Sequence, residues 1–572
     1  MKFSSRNGSL LTACAAVLLL SACKETATPS EPVLEVRPRE DVTVIRNARI
    51  YTFDASSTVL DGGSMAFAQD GTIEGIGDDE AMLKAFPGAK LVDLGGKTVI
   101  PGLIDSHAHL AGLALSFTRA NLTGAQSKAE AIKRLREFEA DLPEGAWLLG
   151  RGWDQNDWPE QVFPKRQDLD AVFPDRAVWL RRVDGHAGWA NSKAIAEADR
   201  DLSGDWQEQG GFIHRDAQGE ASGIFIDKAM GLVEQAVPPD SPELMAEALD
   251  LATEAMVSQG LTGVHEAGTS LELLNLYRQK IAAGAMPIRI YAMADGMNEA
   301  LDWLCENGPF DDPSGRLLMR SVKLYADGAL GSRGAALLED YSDDPGNQGL
   351  MFMEAATIDE RLRRVMSCGL QSGTHTIGDR ANREMLDALE RVIPEFPDNP
   401  GRHRLEHAQI LDPSDIPRFA SLDIIAAMQP THATSDMYWA DERLGEIRIK
   451  GAYAWQSLAQ SGARLALGSD FPVEAVDPML GIYAAVTRQD LDGWPEGAWL
   501  PAERLTREQA LRGFTIDAAY AAFMEDRVGS LEAGKEADFI VLDEDIMQIP
   551  VEAIPALKVE QTWVDGVKVY SK

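Results

Sequence analysis

His107 and His109 stand one residue apart at the end of the apolar segment 99–109. In an extended chain residues i and i+2 share a face, so both imidazoles can hold one metal ion while Ser106 and Ala108 face away. Four further apolar runs each end in a residue type that metal chemistry uses. They are 318–323 ending on Lys323, 369–375 ending on His375, 403–407 ending on His407 and 464–470 ending on Asp470. Imidazole nitrogens suit zinc and similar divalent ions, and a carboxylate beside them can serve as ligand, as base or as both.

Such residues act together only if strand ends bring them together. Their spacing suits successive β/α units of roughly thirty residues or more, with one unit skipped before Asp470. The fold class is therefore α/β: a (β/α)8 TIM-like barrel, which gathers strand ends in one ring at its mouth. Short strand-like runs at 42–45, 49–53, 65–68 and 72–76 precede it, and 538–542 and 561–569 follow, the last folded at Asp565-Gly566. The two chain ends are expected to pair into a small β-sandwich beside the barrel. The expected organisation is residues 42–97 and 526–572 in the sandwich and 98–525 in the barrel. Between about 145 and 240 lies an insertion rich in Gly and aromatic residues, including Trp147, Trp153, Trp158, Trp179, Trp189 and Trp206. Most of it reads as long loops after the first two strands, with rings that cover the mouth or form an apolar substrate wall.

The beginning of the chain reads as an export signal, residues 1–22. Lys2 and Arg6 precede an apolar stretch from Leu10 to Leu20 that is too short for a permanent span. Leu20-Ser21-Ala22-Cys23 resembles a bacterial lipobox, which implies acylation of Cys23; the plainer reading is an ordinary signal with an incidental cysteine. Lys24 at the next position implies an outer-membrane anchor facing the periplasm. Residues 23–41, with Pro29, Pro32 and Pro38, read as a tether. The formal charge of the chain is −36, and loss of Lys2 and Arg6 makes the mature chain more negative still. That balance excludes nucleic acid and electrostatic adhesion to anionic lipid, leaving the lipid anchor as the only membrane contact and a small molecule as the expected partner. The oligomeric state is open. With Cys14 removed and Cys23 acylated, Cys305 and Cys368 remain. An oxidising compartment permits a disulfide, their spacing does not show one, and they read as two buried thiols.

The order H-x-H, Lys, His, His, Asp resembles the amidohydrolase superfamily. The stretches 182–192 (Arg-Val-Asp-Gly-His-Ala-Gly-Trp-Ala-Asn-Ser), 323–333 (Lys-Leu-Tyr-Ala-Asp-Gly-Ala-Leu-Gly-Ser-Arg), 375–379 (His-Thr-Ile-Gly-Asp) and 468–473 (Gly-Ser-Asp-Phe-Pro-Val) are similar to amidohydrolase family 3, the YtcJ-like group that includes N-substituted formamide deformylase. The resemblance runs from about Val42 to the segment 529–538, nearly the whole mature chain. It implies His107 and His109 on one metal ion, His375 and His407 on the other, and Lys323 as a carbamate bridging two ions, zinc by preference. Burial independently favours a neutral Lys323 amine, the form that reacts with carbon dioxide, although an uncharged or Asp-paired structural lysine is the alternative. Asp470 then touches metal and water, takes a proton from a metal-activated water and returns it to the leaving nitrogen. His186, His432 and His265 are assigned to substrate or oxyanion contacts. Asp327 and Arg333 hold substrate or shape the Gly-rich loop after Lys323, whereas His214 and His403 read as structural.

The expected activity is hydrolysis of a non-peptide C–N bond, an amide or N-formyl group, in a small molecule. Two rivals stay open. One is a deaminase or lactonase on the same scaffold; the other is a non-catalytic, ligand-binding or regulatory lipoprotein.

Overall fold

Eight short parallel strands form the central sheet of the computed structural model, which describes residues 40–140 and 142–572. The expected signal, most of the tether and Cys23 lie outside the described residues. In chain order the strands are β1 (Leu103–Ala108), β2 (Leu261–Thr269), β3 (Arg289–Asp295), β4 (Leu317–Tyr325), β5 (Gln371–Thr376), β6 (Arg404–His407), β7 (Ile425–Met428) and β8 (Leu465–Leu467). Each pairs in parallel with the next from β1 to β8. The seam between β8 and β1 is bridged just beyond the strands, where Asp470 N donates to His107 O at 2.7 Å and His109 N donates to Phe471 O at 2.8 Å. The α/β barrel is thus nearly closed, and the seam falls where His107, His109 and Asp470 meet.

Amphipathic helices cover the barrel. Ala355–Ser367 buries Ile358, Leu362, Val365 and Met366, one stripe at helical spacing, against its neighbours. Side chains of this size contribute about 1.5–3 kcal/mol each when fully buried. Cys305, on the helix Glu299–Asn307, is joined by a disulfide to Cys368, which ends Ala355–Ser367. The reading of these residues as two buried thiols is therefore corrected. The barrel brings two segments 63 residues apart side by side, a proximity that spacing alone could not show.

The two chain ends meet in one eight-stranded sheet. Thr98–Pro101 pairs antiparallel with Phe539–Leu542, while Val559–Val564 and Val567–Ser571 turn on Asp565-Gly566. Phe67, Phe539 and Trp563 pack ring against ring at 5.2–5.9 Å beneath it.

The insertion departs from expectation. It lies wholly between β1 and β2, and instead of long loops it builds a second sheet of six strands between Ala120 and Asp227. Trp153, Trp158 and Trp189 pack within 6.0–6.3 Å of one another in its core, and Trp179 packs on Phe225 on its other side. These tryptophans are neither a cover nor a substrate wall. The strands, seven residues at most, carry apolar residues on both faces, so no alternation marked them out in the sequence.

Candidate metal centre

Strand alternation places the first residues of the site. On β1, Asp105 and His107 point the same way, with His109 following where the strand ends. Asp105 is no ligand. Its carboxylate accepts from Ser469 N at 3.0 Å, Ser469 Oγ at 2.6 Å and His107 N at 3.1 Å, clasping the seam. Burial pushes it up to about 7. Gly468 is required here, since a Cβ would lie 2.4 Å from Asp105 Oδ1 and 2.6 Å from His107 N.

On β6 the alternation that turns Arg404 and Glu406 inward would send His407 outward. His407 and the next residue, Ala408, instead adopt φ of +72° and +41°, swinging the imidazole back to the centre. Asp470 likewise has φ +63°. Left-handed backbone costs a non-glycine residue on the order of 1 kcal/mol and clusters at functional positions.

The rings then converge. His407 lies 4.8 Å from His107 and 4.5 Å from His375 between ring centroids, and His109 lies 5.8 Å from His107. Asp470 Oδ1 sits 3.1 Å from His109 Nε2 and 3.7 Å from His107 Nε2, in neither case with hydrogen-bond geometry. Lys323 Nζ lies 3.1 Å from His107 Nε2. Donor atoms of His107, His407 and Asp470 fall within 4.8 Å of one another, and all three residues are buried.

Two partners fix the tautomers. His107 Nδ1 lies 2.5 Å from Glu406 Oε2 and His407 Nδ1 lies 2.7 Å from Gln429 Oε1, so each ring donates there and keeps its Nε2 lone pair for the centre. Burial, helped by Lys323, holds the His107 imidazole down to about 4. Burial also brings the Lys323 ammonium down to about 8. Neutral imidazoles are the form that ligates metal. A buried carboxylate oxygen without a hydrogen bond, beside the Nε2 atoms of His107 and His109, fits a divalent ion.

The remaining assigned residues divide. His186 and His432 line the same cavity as His109, Lys323, His375, His407 and Asp470, a space of about 880 Å³. His186 Nδ1 is held by Asp227 Oδ1 at 2.7 Å; burial opposes its cation, but Asp227 and Asp184 raise the ring above its usual range. His432 stacks on His407 with its Nε2 at 3.7 Å from Asp470 Oδ2.

Three residues are corrected. His265 lies inside the barrel wall away from the cavity, where its Nδ1 accepts from Arg404 at 2.8 Å; it follows an apolar run, but β2 continues beyond it. Asp327 accepts three backbone N–H groups, from Ala336, Ile377 and Gly378 at 2.8–3.0 Å, and so shapes the loop. Arg333 points away to Asp343 at 2.8 Å. His214, between Phe163 and Phe212, and His403, accepting from Ser372, are structural.

Sequence reasoning passed over Glu406, Gln429 and Asp227. Alternation on β6 could have flagged Glu406; the other two stand beyond strand ends or on the insertion, where no pattern marks them. Glu406 is packed between Arg404 at 2.8 Å and His107 at 2.5 Å, and Gly373 makes room for it, since a Cβ there would lie 2.8 Å from Glu406 Oε1.

A parallel barrel that gathers imidazoles, a lysine and an aspartate at its mouth defines a metal-dependent hydrolase. Comparison with known proteins gives the family. The amidohydrolase family model matches residues 90–570, and the chain belongs to that family. Putative amidohydrolase YtcJ of Bacillus subtilis is 34% identical over 90% of this chain and 98% of its own length. N-substituted formamide deformylase of Arthrobacter pascens is 29% identical over 92% and 98%. The crystal structure of an uncharacterized metal-dependent hydrolase from Pyrococcus horikoshii superposes with a TM-score of 0.72 at 28% identity, covering 89% of this chain and 99% of that one.

Proposed function

We propose that this hydrolase cleaves a non-peptide C–N bond, an amide or N-formyl group of a small molecule, using two divalent ions, zinc by ligand preference, bridged by carboxylated Lys323. The observation that carries the reading is the position of Asp470, a carboxylate between His107, His109 and His432 at the barrel seam. The name of the formamide deformylase relative supports the bond class. His107, His109, His375, His407, Lys323 and Asp470 would hold the ions. Divalent ions supply Lewis-acid polarisation of a carbonyl and a nucleophile from water at neutral pH.

The chain's own residues supply the proton steps. Asp470 accepts a proton from the attacking water and releases it to the departing nitrogen, so base becomes acid. His186, its Nδ1 bound to Asp227 and its ring raised above the usual imidazole range by Asp227 and Asp184 against burial, lines the cavity where the developing oxyanion would form. His432 stands on the other side of Asp470 for the same task.

The test is turnover of an amide, N-formyl and lactone panel by metal-loaded protein beside a metal-stripped control. Metal-dependent release of amine is expected; hydrolysis of lactones alone would overturn the bond class. With bicarbonate supplied, elemental analysis should find two ions per chain. Lys323→Ala should lose them and short carboxylic acids should restore part, whereas one ion with Lys323 unmodified would remove the bridge.

We also propose an exported, lipid-anchored protein facing the periplasm. The Cys305–Cys368 disulfide supports it, because such bonds persist in oxidising compartments. Labelled fatty acid should enter the wild type and not Cys23→Ser; absence of label in the wild type would sink the anchor.

A further inference from the structure

One wall of the cavity comes from the insertion sheet, where the strands Leu148–Trp153 and Val178–Arg182 run parallel. Their register sets Arg151 directly beside Arg181, and both line the cavity with Asp470 and His186. Like charges side by side on adjacent strands repel, so the pairing is unfavourable unless an anion joins them. Arg181 has one in Glu234, at 3.0 Å. Arg151 has no carboxylate at ion-pair distance among the described residues. Its Nη2 donates to Val183 O at 2.9 Å and its Nε is buried without a hydrogen bond. Space stays open beside it, because Gly185 has no side chain and even a Cβ there would keep 3.7 Å from Nη1. Burial and then the Arg181 charge press the Arg151 guanidinium down to about 10, which an incoming anion would reverse.

Among the described residues no carboxylate of the mouth pairs directly with Arg151, although the charges of Asp470 and Asp184 favour its cation from further off. Asp154 and Asp184 hold Arg182 at 2.6 and 2.5 Å. Asp436 accepts from Tyr453 and Gln409, and Glu474 accepts from Ser435. The cavity, at about 880 Å³, also has room for far more than the scissile amide.

Resting on the C–N hydrolase reading, we propose that Arg151, with Arg181 beside it, clamps a carboxylate carried by the substrate, so that the site takes N-acylated amino acids and similar anionic amides. The planar guanidinium matches a carboxylate with two parallel hydrogen bonds, and a half-buried position makes each bond stronger than at the surface.

The experiment uses metal-loaded protein and pairs of probes: N-formyl- and N-acetylphenylalanine, each beside the same amide lacking the carboxylate, with inorganic phosphate as a third arm. Calorimetry on Asp470→Asn, which should slow turnover, reads binding; initial rates on the active protein read KM and kcat. The carboxylated probe should bind at least about tenfold tighter than its uncharged twin, Arg151→Met should erase that margin while leaving the twin unchanged, and Arg151→Lys should restore part. The loss should fall on KM more than on kcat. Equal binding of both twins, a margin that survives Arg151→Met, or Arg151-dependent binding of phosphate alone would each overturn the proposal. Arg151-dependent carboxylate binding without hydrolysis of either twin would support the clamp while removing the C–N reading. Hydrolysis of both twins without preference would do the reverse.

Discussion

His107 Nδ1 lies 2.5 Å from Glu406 Oε2, two fully buried groups 299 residues apart on β1 and β6. The contact decides which nitrogen of His107 faces the centre. Burial works against the Glu406 carboxylate, yet Arg404 and His107 hold it down to about 2. Arg404 in turn reaches Ser106 O at 2.6 Å and His265 at 2.8 Å, so one buried chain of contacts locks β1 to β6. Glu406→Gln keeps an acceptor but loses the charge, and metal affinity should fall about 10- to 100-fold in a chelator competition. Glu406→Ala also strands the Arg404 charge, a loss of about 3–5 kcal/mol in denaturant unfolding of metal-free protein. An affinity unchanged in both variants would mean that His107 needs no orienting partner.

The sequence made the barrel legible because each strand end carried a chemically conspicuous residue at βα spacing, and the H-x-H pair on β1 obeys simple alternation. The centre itself was less legible. His407 is aimed by left-handed backbone, which no strand pattern announces, and by alternation Glu406 was the inward residue on β6. His265 follows an apolar run just as His375 does, yet its strand runs four residues further to Thr269 while β5 stops one residue past His375. The insertion was misread because aromatic residues fill both faces of its sheet, and the disulfide because only the folded barrel brings its cysteines together.

The disulfide closes a segment of 63 residues, which restricts the unfolded chain by about 4 kcal/mol in the loop-entropy account. It also sits on the outer helices, away from the cavity. Cys305→Ser with Cys368→Ser should therefore lower stability by about 2–4 kcal/mol in denaturant unfolding while leaving metal content intact. Loss of metal with stability unchanged would contradict this division.

Acid should act on the mouth through Asp184. Burial opposes its carboxylate, but Arg182 and His186 hold it below the usual range, while burial raises Asp154 on the other side of Arg182. A carboxyl depressed in the folded state adds stability that is present above its unfolded value, near 3.9, and lost as pH falls through the folded value. Asp184→Asn should thus destabilise the protein at neutral pH and flatten the stability curve below about pH 4. Denaturant midpoints across pH 2.5–7 check this (about one point per half unit suffices), and parallel curves for the two proteins would refute it.

Asp470 is the residue whose loss should separate binding from chemistry. Its carboxylate is held well below the usual range, burial notwithstanding, by His109, His107 and His407, so it stands ionised and ready to accept a proton. Four imidazoles and Lys323 remain around it as donors, so Asp470→Asn should keep much of the metal. An amide oxygen can still fill the ligand position, but it cannot carry the proton from water to nitrogen. Turnover should then fall by about 10²- to 10⁴-fold with little change in KM. Metal content and rate must be measured on one preparation. A variant that keeps its metal and runs near the wild-type rate would remove Asp470 from the proton path, and one that loses all metal would make it a ligand first.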